Sequence, residues 1–260
     1  MDSKLISVAG GRTKVRVYQA GDGEPLLFLH GAGGLFPDDP FVAKLAERYH
    51  VYAPVLPGYE DSEGAENIRD MLGFTLHTFD AMDALDLDKP IVVGHSMGGM
   101  IAAEMAAAAP HEIDRLALIA PAGLWLDDHP IPDIFATLPF EFPALLFHDV
   151  EMGTKLLTAG LDLDDEGVLK EFLVTNSRQF GMAGKILFPI PDRGLSDRLY
   201  RIKAKTVVIW GDEDALIVPE YGKAFRDGIE GADLVNIPEA GHMVTVEKPD
   251  AVLETIAGLG

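Results

Sequence analysis

A serine between closely spaced glycines is the candidate nucleophile of this sequence. Gly94-His95-Ser96-Met97-Gly98-Gly99 follows a short apolar run, residues 91–93, and precedes an Ala-rich stretch. In a sharp strand–turn–helix connection the serine Oγ is lifted clear of the backbone, and residues two before and two after it must be small because a Cβ would collide across the turn. Gly94 and Gly98 meet that requirement. Chance would give roughly 0.06 such matches at this length and composition, so the pattern predicts that Ser96 is a nucleophile.

A serine hydroxyl reacts only when a neighbouring base takes its proton, and histidine is the usual base. Of the eight histidines, His242 is the best candidate, since it follows the last predicted strand, residues 234–237, and Gly241 leaves its loop free to turn. His95 adjoins Ser96, but neighbouring side chains diverge in a sharp turn, so we expect it to pack or to cap. Three histidines in helix-like segments are expected at the surface: His50, His77 and His111.

The imidazole in turn needs a carboxylate that fixes its tautomer. Three acids follow the predicted strand at residues 206–210, in Gly211-Asp212-Glu213-Asp214. Asp214 is favoured because the turn after Gly211 should bring the fourth residue back over the strand end, and Asp212 is the second choice. A role as a helix cap before Pro219 is the alternative for these acids.

A glycine-rich loop supplies candidate donors for the oxyanion of an acyl-transfer intermediate. His30-Gly31-Ala32-Gly33-Gly34 follows the predicted strand at residues 25–29. One donor should be the amide of Met97, directly after the nucleophile, and the other the amide of Ala32 or Gly33. Such a loop could also hold phosphate, but no lysine stands at P-loop spacing and no G-x-G-x-x-G is present, which disfavours a nucleotide site.

Together these residues resemble the α/β-hydrolase superfamily, over about residues 26–249. The chain order Ser96, Asp214, His242 is that of the superfamily. His30–Gly34 is similar to its H-G-x-G loop, in which the third residue, here Ala32, supplies the amide. Residues 57–62 are similar to its P-G-x-G-x-S loop, except that Glu60 stands where glycine is usual. The resemblance implies an α/β fold with an eight-stranded, mostly parallel sheet, an antiparallel second strand, helices on both faces and an inserted helical cap.

The order of predicted elements agrees with a doubly wound parallel sheet, in which ligands bind beyond the carboxyl ends of the strands. The predicted strands are residues 5–8, 15–18, 25–29, 51–56, 91–93, 116–120, 206–210 and 234–237, and the predicted helices are residues 41–49, 68–85, 98–109, 219–227 and 249–257.

The alternation of predicted strands and helices is interrupted between residues 124 and 190. This stretch contains seven of the thirteen phenylalanines. We expect a core domain of residues 1–123 and 191–260 and a helical cap of residues 124–190; an ordinary helical layer over the core is the alternative. The phenylalanines suggest an acyl or aromatic pocket. The predicted substrate pocket comprises His30, Gly31, His95, Phe140, Phe142, Phe147, Arg178 and Met243.

The amino-acid composition limits the classes of molecule that this protein is expected to bind. The chain carries 42 Asp and Glu against 21 Lys and Arg, a net charge of −21. Such a surface repels nucleic acid and anionic membranes, so a small molecule is the expected partner. With no cysteine there is no thiolate nucleophile or zinc–sulfur site, and we expect no metal and no cofactor. The first residues lack the apolar run of a signal peptide, which favours a cytoplasmic protein. A monomer and a homodimer both stay open.

Three functions are compatible with these residues. The first is hydrolysis of short-to-medium acyl or aromatic esters through an acyl-enzyme on Ser96, with lactones as a variant. The second is cleavage of a C–C bond in a dienoate acid, for which Arg178 could hold the substrate carboxylate; a solvated helix charge is the other interpretation of Arg178. His95 and Met243 argue against this second function, because many such enzymes carry asparagine and an aromatic residue there. The third is a receptor that keeps the fold without turnover.

Overall fold

The computed structural model describes residues 1–36, 38–158, 161, 165–188 and 193–260. The strands in these residues form one sheet in the order β1-β2-β4-β3-β5-β6-β7-β8. They are β1 (Asp2–Val8), β2 (Thr13–Ala20), β3 (Glu24–Leu29), β4 (Tyr49–Pro54), β5 (Ile91–His95), β6 (Arg115–Ile119), β7 (Lys205–Gly211) and β8 (Asp233–Ile237). Only β2 runs against its neighbours, and the remaining adjacent pairs are parallel. The predicted α/β-hydrolase topology is thereby confirmed.

Helices cover both faces of this sheet. They are α1 (Pro40–Leu45), α2 (Met71–Ala84), α3 (Met97–Ala108), α4 (Phe142–Leu146), α5 (Val150–Leu157), α6 (Glu166–Leu187), α7 (Glu220–Gly228), α8 (Val244–Glu247) and α9 (Pro249–Ala257). Because side chains alternate along a strand, Leu27 and Leu29 belong to the core on the face covered by α2, α3 and α7. Leu26 and Phe28 belong to the core on the opposite face, which α1 and α9 cover. The unbroken apolar runs of the central strands follow from this double coverage.

One helix start and one buried histidine differ from the sequence expectations. Helix α2 begins at Met71 rather than residue 68, because the Asp70 carboxylate accepts the Gly73 amide and caps the first turn. His77, expected at the surface, is instead buried. It lies three residues after Phe74 and four before Ala81, on the stripe of α2 that faces the core.

The chain between β6 and β7 contributes helices and no strand over its described residues. We refer to residues 124–188 as the cap segment; it contains α4, α5 and α6. The predicted boundary between residues 190 and 191 lies outside the described residues, and the division into two domains stays a prediction. Lys185 ties the end of α6 to the core, since its Nζ donates to the carbonyl oxygens of Ala65 and Ile68 at 2.6 and 2.7 Å.

The loop after β4 carries the departure at Glu60. Glu60 adopts φ 44°, the left-handed conformation that glycine reaches most easily. Its carboxylate accepts a hydrogen bond from the Tyr18 hydroxyl at 2.7 Å, and burial together with this bond raises the pKa of Tyr18 to about 12. Its main-chain carbonyl, like that of Gly58, accepts from the Arg178 guanidinium. Hydrogen bonds to its carboxylate and to its main-chain carbonyl therefore hold Glu60 in this conformation.

Candidate active site

The connection from β5 to α3 has the strained geometry that the glycine spacing predicts. Ser96 has φ 54° and ψ −115°, and its amide donates to the carbonyl of Ile119 on the neighbouring strand. A Cβ on Gly94 would lie 2.4 Å from the Gly98 oxygen, and one on Gly98 would lie 2.1 Å from the Leu29 oxygen. Neither position admits a side chain, so the two glycines are what lets Ser96 stand at the carboxyl end of the sheet.

Three side chains form a continuous chain of hydrogen bonds at that edge. Nε2 of His242 lies 2.9 Å from Ser96 Oγ, and Nδ1 of His242 lies 2.8 Å from Asp214 Oδ2. All three residues are buried. Since a carboxylate only accepts, Nδ1 carries the proton, which leaves Nε2 free to accept from the serine hydroxyl. The arrangement can activate Ser96 as a nucleophile.

The carboxylate is held by the turn that follows β7. Asp214 Oδ1 accepts the amides of Leu216 and Ile217, each at 2.9 Å, so Oδ2 is left to face His242. Asp212, the second choice from sequence, is exposed. The turn and the His242 loop touch closely, because a Cβ on Gly211 would lie 2.3 Å from the Gly241 oxygen.

The glycine-rich loop after β3 lies against the nucleophile. A Cβ on Gly31 would be 3.4 Å from Ser96 Cβ. Within the described residues the amides of Ala32, Gly33 and Met97 donate to no protein acceptor, so all three are available to an oxyanion. The structure thus brings the predicted donors to the serine and leaves the choice between Ala32 and Gly33 open.

Two buried rings hold this loop. His30 Nε2 accepts the Leu56 amide at 3.1 Å, so its proton sits on Nδ1, which donates to the Gly31 carbonyl at 2.7 Å. Burial lowers the pKa of His30 to about 4, and the ring is neutral near pH 7. The Tyr59 hydroxyl donates to the Ala32 carbonyl. Sequence reasoning missed Tyr59, although it lies within the P-G-x-G-x-S-like loop.

An apolar cavity of about 470 Å³ opens onto Ser96 and His242. Of the predicted pocket residues, Gly31, His95, Phe142 and Met243 line it, as do Ala32 and Gly33. The cavity is also lined by residues that are not in the predicted pocket set: Phe36, Ile131, Ile134, Phe135, Leu146, Leu157, Phe172, Asn176, Phe180 and Ile217. No lysine or arginine is among the described residues that line it.

Four predicted pocket residues lie elsewhere. Phe140 is 76% exposed, because it sits in the short turn Pro139–Glu141 and faces solvent. Phe147 is buried against α5, where a Cβ on Gly153 would collide with its ring. His30 lies beneath the oxyanion loop rather than in the cavity. Arg178 donates to the carbonyls of the loop after β4 instead of facing the cavity.

The described residues hold no group of three or more His, Asp or Glu side chains arranged to bind a metal ion. In the same part of the chain, none of the helices has the length and apolar character needed to cross a membrane.

Comparisons with known proteins agree with this fold. The model of the alpha/beta hydrolase family matches residues 26–255. The chain is 28% identical to 2-hydroxy-6-oxo-6-phenylhexa-2,4-dienoate hydrolase of Burkholderia cepacia, over 92% of this chain and 88% of that protein. It is 30% identical to Lipase 3 of Moraxella sp. (strain TA144), over 95% and 81%. The solved enol-lactonase from Burkholderia xenovorans LB400 superposes with a TM-score of 0.77 at 20% identity, covering 98% of this chain and 99% of that one, a likeness of fold.

Proposed function

The chain belongs to the alpha/beta hydrolase family, and from that membership we propose that it is a serine hydrolase that cleaves uncharged carboxylic esters through an acyl-enzyme on Ser96. The observation that carries the proposal is the hydrogen-bonded chain Ser96–His242–Asp214 at the floor of an apolar cavity.

The geometry supports a two-step acyl transfer. Ser96 Oγ attacks the ester carbonyl while His242 Nε2 takes its proton, and the Nδ1–H bond to Asp214 steadies the imidazolium. The carbonyl oxygen becomes an oxyanion that accepts from the Met97 amide and from that of Ala32 or Gly33. The C–O bond to the alcohol then breaks, and His242 returns the proton to the departing oxygen. Water then attacks the acyl-enzyme while His242 takes its proton. The bond between the acyl carbon and Ser96 Oγ breaks, His242 returns the proton to Oγ, and the acid leaves.

The cavity wall favours an uncharged acyl group. Its described lining is mostly aliphatic and aromatic, with Phe142 packing on Phe180 at a centroid distance of 5.7 Å. A substrate carboxylate buried there would find no cation from the described residues, and an unpaired buried charge is strongly unfavourable. His95, which does line the cavity, is neutral, because burial and the neighbouring His242 lower its pKa to about 3. Short-to-medium acyl and aromatic esters fit this wall best.

A second candidate function is C–C bond cleavage in a dienoate acid. It is favoured by the similarity to the Burkholderia cepacia hydrolase along 92% of this chain. The placement of Arg178 argues against it, since the predicted partner of the substrate carboxylate is engaged by the carbonyls of Gly58 and Glu60. A lactone, as a cyclic uncharged ester, remains compatible with the first function.

The test is a substrate panel on purified protein, with Ser96→Ala as the control. We expect turnover of p-nitrophenyl acetate, butyrate and octanoate and of an uncharged lactone. We expect kcat/KM for a phenyl-substituted dienoate acid to be at least about 100-fold lower than for the best ester, because its carboxylate is desolvated without a partner. The reverse order would establish the C–C hydrolase, and an absence of turnover on the whole panel would point to a receptor.

A further inference from the structure

His95 makes a contact that the acyl-transfer scheme does not use. It is the last residue of β5 and is joined to Ser96 by one peptide bond, yet its side chain reaches the His242 loop. Its Nε2 lies 2.9 Å from the main-chain carbonyl oxygen of His242, and the two rings have centroids 5.2 Å apart. A carbonyl oxygen only accepts, so Nε2 of His95 carries a proton and donates it.

Other hydrogen bonds also hold the His242 loop. The Glu213 amide, in the turn after β7, donates to the Ala240 carbonyl at 3.0 Å, and Asp214 accepts from His242 Nδ1. The Met243 amide donates to the Leu146 carbonyl in the cap segment at 2.9 Å. The Gly241 amide donates to the Glu247 carboxylate at 2.7 Å. None of these bonds joins the loop to the segment that carries Ser96, whereas the His95 bond starts from the residue next to Ser96.

His242 is therefore attached to the dipeptide His95-Ser96 at two points. The imidazole Nε2 meets Ser96 Oγ, and the main-chain carbonyl meets His95 Nε2. The bonds to Ser96 and Asp214 orient the imidazole ring itself. The bond from His95 fixes the main chain from which that ring extends, and so fixes where the oriented ring lies relative to Ser96. Proton transfer depends steeply on the distance and direction between the ring and Ser96 Oγ, and a displacement of about 1 Å can lower a rate about 100-fold.

We propose that His95 is a positioning residue, which holds the main chain of His242 so that its Nε2 faces Ser96 Oγ. The inference rests on the proposed serine-hydrolase function. The donor at this position has to be uncharged as well as correctly placed, because a cation beside His242 would oppose formation of its imidazolium. A neutral imidazole that donates from Nε2 meets both conditions.

Three substitutions of His95 test the proposal. His95→Gln keeps an amide N–H near the position of Nε2, His95→Asn places it about one bond short, and His95→Leu removes it. We expect kcat for p-nitrophenyl butyrate to fall about 30-fold or more in His95→Leu and His95→Asn, with KM within about twofold of wild type. His95→Gln should recover most of the loss. A kcat within threefold of wild type in both His95→Leu and His95→Asn would overturn the proposal, as would equal losses in the Gln and Asn variants. If His95→Leu does not fold, the Gln and Asn pair decides alone.

A second readout separates positioning from general weakening of the fold. The proton between His242 Nδ1 and Asp214 gives a downfield ¹H resonance, which should stay sharp in wild type and His95→Gln and broaden in His95→Asn. An unchanged resonance in His95→Asn would contradict a positioning role. Failure of the proposed function would look different: an uncharged p-nitrophenyl phosphonate would then not inactivate the wild-type protein at Ser96. Inactivation of wild type and all His95 variants at equal rates would reject only the role of His95.

Discussion

The phenolic hydroxyl of Tyr59 donates a hydrogen bond to the main-chain carbonyl of Ala32, 2.9 Å away. That carbonyl belongs to the same planar peptide group as the Gly33 amide, so Tyr59 sets the direction of one candidate oxyanion donor. His30 acts in the same way one residue earlier, because the Gly31 carbonyl that it binds shares a peptide group with the Ala32 amide. The loop has no helix or strand of its own, and these two rings supply the order that secondary structure would give.

Tyr59→Phe should reduce catalysis more than substrate binding. We expect kcat for p-nitrophenyl butyrate to fall about tenfold with little change in KM, because the oxyanion forms only in the transition state. The free energy of unfolding should fall by about 1 kcal/mol for the lost buried hydrogen bond. Tyr221→Phe is the control, since the buried Tyr221 hydroxyl donates to the His129 carbonyl and accepts from the Leu126 amide, away from the oxyanion loop. Equal loss of kcat in the two variants would contradict the role of Tyr59.

The two acids after β7 should respond very differently to the same substitution. In Asp214→Asn the carboxamide can present an N–H toward His242 Nδ1, which favours the tautomer with its proton on Nε2, and that tautomer cannot accept from Ser96. A loss of about 10³-fold or more in kcat is expected. Asp212 is exposed, so Asp212→Asn should leave kcat within about twofold. Steady-state kinetics at pH 7.5, with circular dichroism to verify folding, make the comparison, and a larger loss at Asp212 would assign the orienting acid to that residue.

Arg178→Gln should loosen the cap segment without changing the preference for uncharged substrates. The guanidinium joins α6 to the loop after β4 through the carbonyls of Gly58 and Glu60, so we expect a lower melting temperature and similar proportional changes of kcat/KM for all esters. Lys170→Gln, an exposed cation on the same helix, is the control and should change neither. If kcat/KM fell only for carboxylate-bearing substrates, Arg178 would instead be the residue that binds the substrate carboxylate.

The core of the fold was predictable because its signals are local. Apolar runs mark strands that are buried on both faces, and the close packing at Gly94 and Gly98 is encoded by residues only two positions from Ser96. The chain order of the acid and the histidine after later strands placed them at the same sheet edge. The helix start at Met71 was missed because the cap at Asp70 depends on a side-chain rotamer that periodicity does not report.

The pocket wall was not predictable from composition. Phe140 and Phe142 are two residues apart, yet Phe140 faces solvent and Phe142 lines the cavity, because a short turn ends and α4 begins between them. The carbonyl groups that accept from Arg178 lie about 120 positions earlier in the chain, and a local sequence pattern does not report contacts between residues so far apart. His77 shows the same limit, because a polar residue type predicts exposure whereas its place on the α2 stripe determines burial.

Three buried histidines make the stability of the protein depend on pH. Burial lowers the pKa of His30 and of His77 to about 4 and, together with His242, that of His95 to about 3. In the unfolded chain each titrates near 6.5. Between these values the unfolded state binds a proton that the native state does not, so the free energy of unfolding decreases as pH falls. Their stabilising contribution is complete above about pH 6.5 and is lost progressively as the pH drops, toward 4 for His30 and His77 and toward 3 for His95.

His77 is suited to test this dependence because it lies outside the candidate site, in α2. Each histidine can contribute up to about 1.4 kcal/mol per pH unit once the pH lies below 6.5, so His77→Leu should reduce the decline of the unfolding free energy by about 1.5 kcal/mol between pH 6.5 and 5. Urea unfolding at half-unit intervals from pH 7.5 to 4.5 measures the slope. His111→Leu, at an exposed histidine, is the control and should run parallel to wild type. The decisive comparison is between the two variants: if their slopes coincide, the His77 ring binds its proton equally in the native and unfolded states, and burial in α2 does not exclude the proton from it.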